Sequence, residues 1–170
     1  AITPELLDGA AVFFADAERR LRPGTLVAAG DRICSLADQV TANVVETPRQ
    51  AIDRVRADIE AFQQAEGLEH VVVVNVASTE PPPSLPIPDT FAAVEPLLDS
   101  AEKCPLPASS LYFLAAAEAG ASYINFTPST GATPACLQQV ARKRRIAHAG
   151  CDGKTGETLV KTVLAPMFRA

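Results

Sequence analysis

Residues 148–168 contain the residue types and spacing in this sequence that best suit the binding of an anion. A small-residue turn at Gly150 and Asp152 separates a short apolar run from an amphipathic helix that is predicted to open near Thr155. Free backbone N–H groups, the positive end of the helix dipole and the ammonium of Lys154 would then share one small volume. Such a volume favours a phosphate, a carboxylate or a developing oxyanion.

One alternative for this stretch is a nucleoside-triphosphate loop, because Gly153-Lys154-Thr155 ends like the GxxxxGK[S/T] pattern. That pattern requires glycine where this chain has His148, whose side chain would obstruct the wrap of backbone around a β-phosphate. The mismatch argues against a nucleoside triphosphatase. Two interpretations remain: an anion-binding turn, in which Lys161 returns to the helix face of Lys154, and a solvated turn with two surface lysines.

Composition limits the class of protein. The chain has 170 residues, of which 48% are hydrophobic and 21% charged, so we expect residues 1–170 to form a single α/β domain. A net charge of −5 argues against a nucleic-acid partner. The sequence has neither a long apolar run nor an N-terminal export signal, which predicts no membrane partner. The four cysteines lack paired spacing, so they indicate a reducing, cytoplasmic setting rather than a zinc site or disulfides.

Strand signals recur through the second half of the chain and alternate with helix signals. Residues 71–76 form a continuous β-branched run, which is typical of a strand buried on both faces in a parallel sheet. Residues 123–126 and 146–148 are predicted to be the next strands. This alternation predicts a parallel, doubly wound, Rossmann-like sheet.

Helix and loop signals fill the intervals between these strands. A capping-box sequence at residues 47–50 predicts a helix that Gly67 stops, and Ser109 or Ser110 is predicted to cap a helix that Gly120 ends. Further helices are predicted over residues 3–20, shortly after residue 89, over 133–144 and over 155–168. Residues 81–88 contain five prolines and are predicted to be an extended loop.

Short polar residues follow each predicted strand. Because the carboxyl ends of parallel strands lie along one edge of a sheet, these residues should converge and form a ligand-binding edge. Turn chemistry alone would explain glycine, asparagine and aspartate there, but not hydroxyls, an acid and a lysine together. The converging residues are Asn75, Ser78 and Thr79, then Asn125, Thr127 and Ser129, and finally Asp152, Lys154 and Thr155.

Three motifs at these loops resemble those of a known family. They are VVVVNVASTE at residues 71–80, YINFTPS at 123–129 and GCDGKTGETLVKTVLAPMF at 150–168. The chain is similar here to the inositol-1-phosphate synthase family, in particular its archaeal and bacterial branch. The resemblance implies an NAD-dependent isomerase of inositol and phospholipid biosynthesis, a cytoplasmic homotetramer when complete. Such an enzyme converts glucose 6-phosphate to inositol 1-phosphate by oxidation, enolisation, aldol cyclisation and reduction.

The resemblance also implies a role for each loop. Residues 77–80 look like the family's cofactor loop beside the nicotinamide-side ribose, and Thr127 stands near the nicotinamide and substrate. Asp152 resembles the acid at the cofactor and cation edge, and Lys154 belongs to the lysine-containing motif. The predicted cofactor-binding residues are Asn75, Ala77, Ser78, Thr79, Asn125, Thr127, Ser129 and Asp152, and the predicted catalytic residues are Asp152, Lys154 and Lys161.

The sequence departs from the family pattern in two places. Cys151 stands where asparagine, aspartate or threonine is expected, which would weaken a polar contact, and no GxGxxG-like turn occurs. The family's chain also continues past residue 170. We therefore expect the later part of an NAD-binding domain, which runs into the start of the catalytic region near residues 155–170. The alternative is a non-catalytic nucleotide-binding or scaffold fragment of the same fold.

Overall fold

The computed structural model shows an α/β fold over the residues that it describes, which are 4–28, 46–151, 162 and 164–168. Residues 162 and 164–168 are helical, as predicted for the last helix. The rest of that helix lies outside the described residues, and so do Asp152, Lys154, Thr155 and Lys161.

Three parallel strands form the sheet, and they lie in the order in which they occur along the chain. Val73 of β1 is the register partner of Tyr123 in β2, which in turn pairs with His148 in β3. The predicted parallel pairing of the three strands is therefore confirmed. The strands are β1 at Val72–Asn75, β2 at Ser122–Asn125 and β3 at His148–Ala149.

The third strand begins two residues later than predicted, because the chain first has to reverse direction. Arg145 adopts a left-handed conformation with φ of 56°. The N–H of Ile146 donates to the carbonyl oxygen of Ala141 at 2.9 Å, and this bond closes the preceding helix. Ile146 is consequently partly buried in the turn and does not pair as a strand residue.

Most of the predicted helices are present. The capping box at Thr47 is confirmed, since its hydroxyl accepts from the Gln50 N–H at 3.3 Å and its N–H donates to Gln50 Oε1 at 2.8 Å. Residues 81–88 form no helix or strand, as predicted. No helix among the described residues is both long and apolar enough to cross a membrane. The helices are α1 at Pro4–Arg20, α2 at Pro48–Ala65, α3 at Phe91–Val94 followed by a 3-10 helix at Glu95–Asp99, α4 at Ala108–Glu118 and α5 at Ala135–Arg144.

The prediction that Ser109 or Ser110 caps helix α4 is wrong. The helix begins at Ala108, and its N-cap residue is Pro107, which has no side-chain capping bond. Ser109 Oγ accepts from the N–H of Gly131 at 3.0 Å, and Ser110 Oγ donates to the carbonyl oxygen of Gly131 at 2.7 Å. Both hydroxyls are buried, so a tertiary contact with the loop after β2 replaces the local cap.

Helices α4 and α5 cover one face of the sheet, where Phe113, Tyr123 and Leu137 lie in a common core. Right-handed crossovers between strands in sequential order place both helices on the same face. On the opposite face Val72 and Val74 are each 48% exposed. The prediction that residues 71–76 are buried on both faces is therefore wrong for this structure.

Two buried asparagines join the carboxyl ends of β1 and β2. Asn75 and Asn125 are register partners, and Asn75 Nδ2 donates to Asn125 Oδ1 at 3.1 Å. Asn125 Oδ1 also accepts from the N–H and the hydroxyl of Thr127, at 3.2 and 2.7 Å, while its Nδ2 donates to the Ser129 carbonyl at 2.7 Å. Asn125 is only 2% exposed, so these contacts take the place of water and fix the loop that leaves β2.

We expect Asn125→Ala to lower the free energy of unfolding by about 3 kcal/mol. The substitution leaves buried polar groups of Asn75, Thr127 and Ser129 without their partner, and each such group costs on the order of 1 kcal/mol or more. Denaturant titration of the variant and of the parent measures the difference.

Gln139→Ala is the matched control for that measurement. Gln139 also bonds backbone groups through both ends of its amide, since Nε2 donates to Asp89 O at 3.0 Å and Oε1 accepts from the Phe91 N–H at 3.3 Å. Gln139 is exposed, so water can replace these bonds and the expected loss is below about 1 kcal/mol. Equal losses in the two variants would contradict the assignment of Asn125 as the centre of a buried network.

Candidate functional site

The carboxyl ends of β1 and β2 form the edge at which the sequence predicts ligand binding. The predicted residues that the structure describes at this edge divide into a buried set and an exposed set. Asn75, Asn125, Thr127 and Ser129 are at most 9% exposed. Ala77, Ser78 and Thr79 are exposed.

The buried side chains hold the loops in place through hydrogen bonds to the loop backbone. Strands β1 and β2 both end in an asparagine that closes the following turn: the Ala77 N–H donates to Asn75 Oδ1, and the Thr127 N–H donates to Asn125 Oδ1, both at 3.2 Å. Thr127 Oγ1 accepts from the Ser129 N–H at 3.2 Å. The side-chain amides of both asparagines and the hydroxyl of Thr127 are thus engaged within the protein. Their predicted contact with a cofactor stays a prediction.

The exposed set is positioned differently. Ser78 and Thr79 lie in the loop after β1 and are exposed to solvent, and no hydrogen bond within the described part of the chain uses either hydroxyl. Ala77 lies between them and the strand, and its N–H is held by Asn75. Two hydroxyl groups on a fixed turn are therefore available to a ligand.

Two glycines let neighbouring loops approach Asn125. A Cβ at Gly131, where φ is 51°, would lie 2.6 Å from Asn125 Nδ2. A Cβ at Gly150, where φ is 82°, would lie 2.4 Å from the backbone oxygen of Asn125. Any larger residue would clash with these atoms and also meet backbone strain. The third loop therefore starts directly beside the end of β2, and Cys151 is exposed there.

Tyr123 ties the core to the first turn of α4. Its hydroxyl donates to the carbonyl oxygen of Ser109 at 2.9 Å. Burial, together with the negative charge of Glu80, raises the pKa of the Tyr123 phenol above its usual value. The phenol therefore stays protonated and remains a donor at physiological pH.

The sequence predicts no individual role for Glu80, although this residue ends the predicted cofactor loop. Its Oε1 accepts from the N–H of Ser109 at 2.6 Å, and its own N–H donates to Ser129 Oγ at 3.1 Å. These partners are 29 and 49 positions away in the sequence, so no local spacing reveals them. The only signal was the place of Glu80 at the end of the first motif.

A cavity of about 600 Å³ lies elsewhere, between the end of α1, the second half of α2 and the first residues of β1. Val71, Val73 and Tyr112 line the cavity. Arg20 and Glu66 also line it and form an ion pair, with 3.0 Å between Arg20 Nε and Glu66 Oε1. None of its lining residues comes from the loops that follow the strands. The cavity is thus separate from the predicted edge.

Comparison with known sequences identifies relatives of the chain. Residues 18–168 match the NAD-binding domain family described as Myo-inositol-1-phosphate synthase. Inositol-3-phosphate synthase 1 of Bacteroides thetaiotaomicron is 31% identical over 123 residues, which are 71% of this chain and 28% of the relative. Inositol-3-phosphate synthase of Spirodela polyrhiza is 36% identical over 129 residues, which are 72% of this chain and 24% of the relative. The chain thus spans about a quarter of the length of these curated relatives.

Solved structures share the fold. Inositol-3-phosphate synthase of Caenorhabditis elegans superposes with a TM-score of 0.71 at 21% identity, over 97% of this chain and 33% of that one. A myo-inositol-1-phosphate synthase-related protein of Thermotoga maritima gives a TM-score of 0.58 at 20% identity, over 87% of this chain and 37% of that one. The Rossmann-like α/β fold class is confirmed. The family model matches most of the sequence, and a relative exceeds 30% identity over two thirds of it, so the chain belongs to the myo-inositol-1-phosphate synthase family.

Proposed function

We propose that this chain is the cofactor-binding segment of an NAD-dependent isomerase that converts glucose 6-phosphate to inositol 1-phosphate. One observation carries the proposal: in a chain of this family, the motif loops at residues 76–80 and 126–129 meet at the carboxyl edge of a parallel sheet. Open parallel sheets bind dinucleotides at that edge.

The described residues suit one part of the cofactor. Ser78 and Thr79 are exposed, and their hydroxyls can bond a ribose hydroxyl or a phosphate oxygen. The glycine-rich turn that cradles the pyrophosphate in dinucleotide-binding domains does not occur in this sequence. We therefore assign to the chain the nicotinamide side of the cofactor, and to further protein the pyrophosphate.

The chemistry divides between cofactor and protein. Bound NAD supplies a hydride acceptor that returns the hydride at the end of the cycle, so the overall reaction is an isomerisation. We assign Lys154 to stabilise the oxyanion that develops on the substrate during oxidation and enolisation, and Asp152 to fix that charge or to bind a cation. Lys161 lies on the same predicted helix face, two turns further along.

The proposal also covers the oligomeric state and the cellular location of the complete enzyme. We propose a cytoplasmic homotetramer, as the resemblance implies. Val72, Val74 and Phe126, 48%, 48% and 54% exposed, leave an apolar sheet face in contact with water. A sheet face of this kind is normally covered by another layer of the same protein. This supports a role as part of a larger enzyme.

We expect the isolated 170-residue chain to show no isomerase activity. The glycine-rich turn that binds the pyrophosphate does not occur in this sequence, and hydride transfer requires the nicotinamide ring to be held against the substrate carbon. The assay supplies glucose 6-phosphate and NAD and measures inositol phosphate, with the full-length enzyme as the positive control. Product above background from the isolated chain would refute this expectation and the assignment of a partial site.

Ser78→Ala and Thr79→Val test the exposed hydroxyls in the full-length enzyme. Each substitution is expected to raise the Kd for NAD about fivefold, because one hydrogen bond to a ligand contributes about 1 kcal/mol. The melting temperature should not change, since neither hydroxyl has a partner within the described part of the chain. Ser84→Ala, at another exposed serine, is the control and should leave the Kd within about twofold of the parent value. Unchanged NAD binding in both test variants would remove these residues from the site.

Lys154→Ala and Asp152→Asn test the loop that precedes the last helix. Loss of a contact made in the transition state costs on the order of 3 kcal/mol, or about a hundredfold in turnover. Turnover and melting temperature are measured together in the full-length enzyme. A large loss of turnover at an unchanged melting temperature is expected.

Lys161→Ala is the internal control for this pair. It should cost less turnover than Lys154→Ala, because the helix dipole and the free N–H groups are concentrated in the first turn. Turnover within about twofold of the parent for both Lys154→Ala and Asp152→Asn would identify the loop as a solvated turn.

A further inference from the structure

The short segment of residues 77–79 is fixed at both ends and free in the middle. At its start, the Ala77 N–H donates to the buried side chain of Asn75 at 3.2 Å. At its end, the Glu80 N–H donates to Ser129 Oγ at 3.1 Å. Ser78 and Thr79 lie between these two anchors and present their side chains to solvent. Fixed ends around an open centre are the arrangement that preorganises a loop for a ligand.

The side chain of Glu80 adds a third anchor, on helix α4. Its Oε1 accepts from the N–H of Ser109, in the first turn of the helix, at 2.6 Å. Pro107 cannot cap this helix, and the hydroxyls of Ser109 and Ser110 are bound to Gly131. A carboxylate near the amino end of a helix is stabilised by the free N–H groups and by the dipole. Glu80, which is 29 positions away in the sequence, thus supplies a hydrogen-bond acceptor for the first turn of α4 that the residues next to the helix do not supply.

The other carboxylate oxygen of Glu80 has an unusual environment. Oε2 is buried and has no hydrogen-bond partner among the described residues. Leaving such an oxygen unpaired in the interior costs free energy, and a neutral serine or threonine at the helix end would avoid that cost. Buried polar atoms without a partner are rare in folded proteins, and a role at a functional site is one of their explanations.

We infer that Glu80 is a positioning residue, which holds residues 77–79 in the conformation that receives the nicotinamide side of the cofactor. The inference rests on the proposed function and extends it to a residue behind the ligand-facing hydroxyls. Glu80 acts through the loop: its backbone holds the loop after β2, its side chain holds α4, and the segment between Asn75 and these contacts has little freedom left.

The test compares Glu80→Ala and Glu80→Gln in the full-length enzyme. Glu80→Ala frees one anchor of the loop and should raise the Kd for NAD about tenfold. Glu80→Gln keeps a carbonyl oxygen that can accept from the Ser109 N–H, and it should restore the Kd to within about threefold of the parent value. Amide hydrogen exchange of the peptide that covers residues 76–80 should be faster in Glu80→Ala than in the parent.

Glu118→Ala is the matched control for lost stability. The Glu118 carboxylate is also partly buried and also holds two elements of the fold together, in this case helices α4 and α2, because Arg49 Nη1 of α2 donates to its Oε1 at 3.0 Å and to its Oε2 at 3.2 Å. Its removal should lower the melting temperature and leave both the Kd for NAD and the exchange of residues 76–80 unchanged. The comparison separates a positioned loop from a general loosening of the fold.

The possible outcomes distinguish a failure of the positioning role of Glu80 from a failure of the proposed function. NAD binding within about twofold of the parent in Glu80→Ala overturns the positioning role and leaves the proposed function standing. An equal loss of binding in Glu118→Ala at a similar melting temperature also overturns that role. A parent enzyme that does not bind NAD overturns the proposed function and the inference with it. Weakened binding in Glu80→Ala, with rescue in Glu80→Gln and faster exchange at residues 76–80, supports the inference.

Discussion

The candidate site depends on the hydrogen bond between the side chains of Asn75 and Asn125, which joins the carboxyl ends of two parallel strands. Because the strands are parallel and these residues are register partners, their side chains emerge on the same face at the same height. One asparagine closes the turn after β1 and the other closes the turn after β2. A single buried contact therefore sets the starting direction of both loops.

The network around this pair is neutral. Its members are amides, hydroxyls and backbone groups, which keep their hydrogen bonds over a wide range of pH and stabilise the fold without the desolvation cost of buried charge. Glu80 brings a charged side chain to this network, since its N–H donates to Ser129 Oγ. The raised pKa of Tyr123 is consistent with this arrangement, since its phenol stays a neutral donor to α4. Because the amides and hydroxyls under the candidate edge are uncharged, the electrostatic potential at the edge is set by Glu80 and the exposed loops.

The sheet is covered by helices on one face, and this bears on how the segment works. Sequential parallel strands with right-handed crossovers place α4 and α5 on the same face, so the opposite face keeps exposed valines. The candidate binding edge lies at the boundary of these two faces, where the core on one side supports the loops. A segment of an NAD-binding domain can thus build its part of the candidate site locally and still leave one apolar sheet face exposed.

The sequence by itself determined the features that depend on residues close together in the chain. The capping box at Thr47, the helix stop at Gly67, the extended loop of residues 81–88 and the three strands all follow from spacing and backbone preference. The motif loops also indicated the family, since their residue types recur in order. Convergence of the first two loops followed from the rule that parallel strands end on one edge.

Only the tertiary structure decided which polar residues support the site and which are open to a ligand. Asn75 and Asn125 were predicted to bind the cofactor, which stays a prediction, and the structure shows that their side-chain amides bond each other. Ser109 or Ser110 was predicted to cap α4, but both bind Gly131, and Glu80 accepts from the first turn of the helix. The exposure of Val72 and Val74 was equally invisible in a run that reads as buried on both faces. The physical reason is the same in each case. Burial and hydrogen-bond partners are supplied by segments tens of residues away, and the local pattern of a sequence does not show which distant group will make the contact.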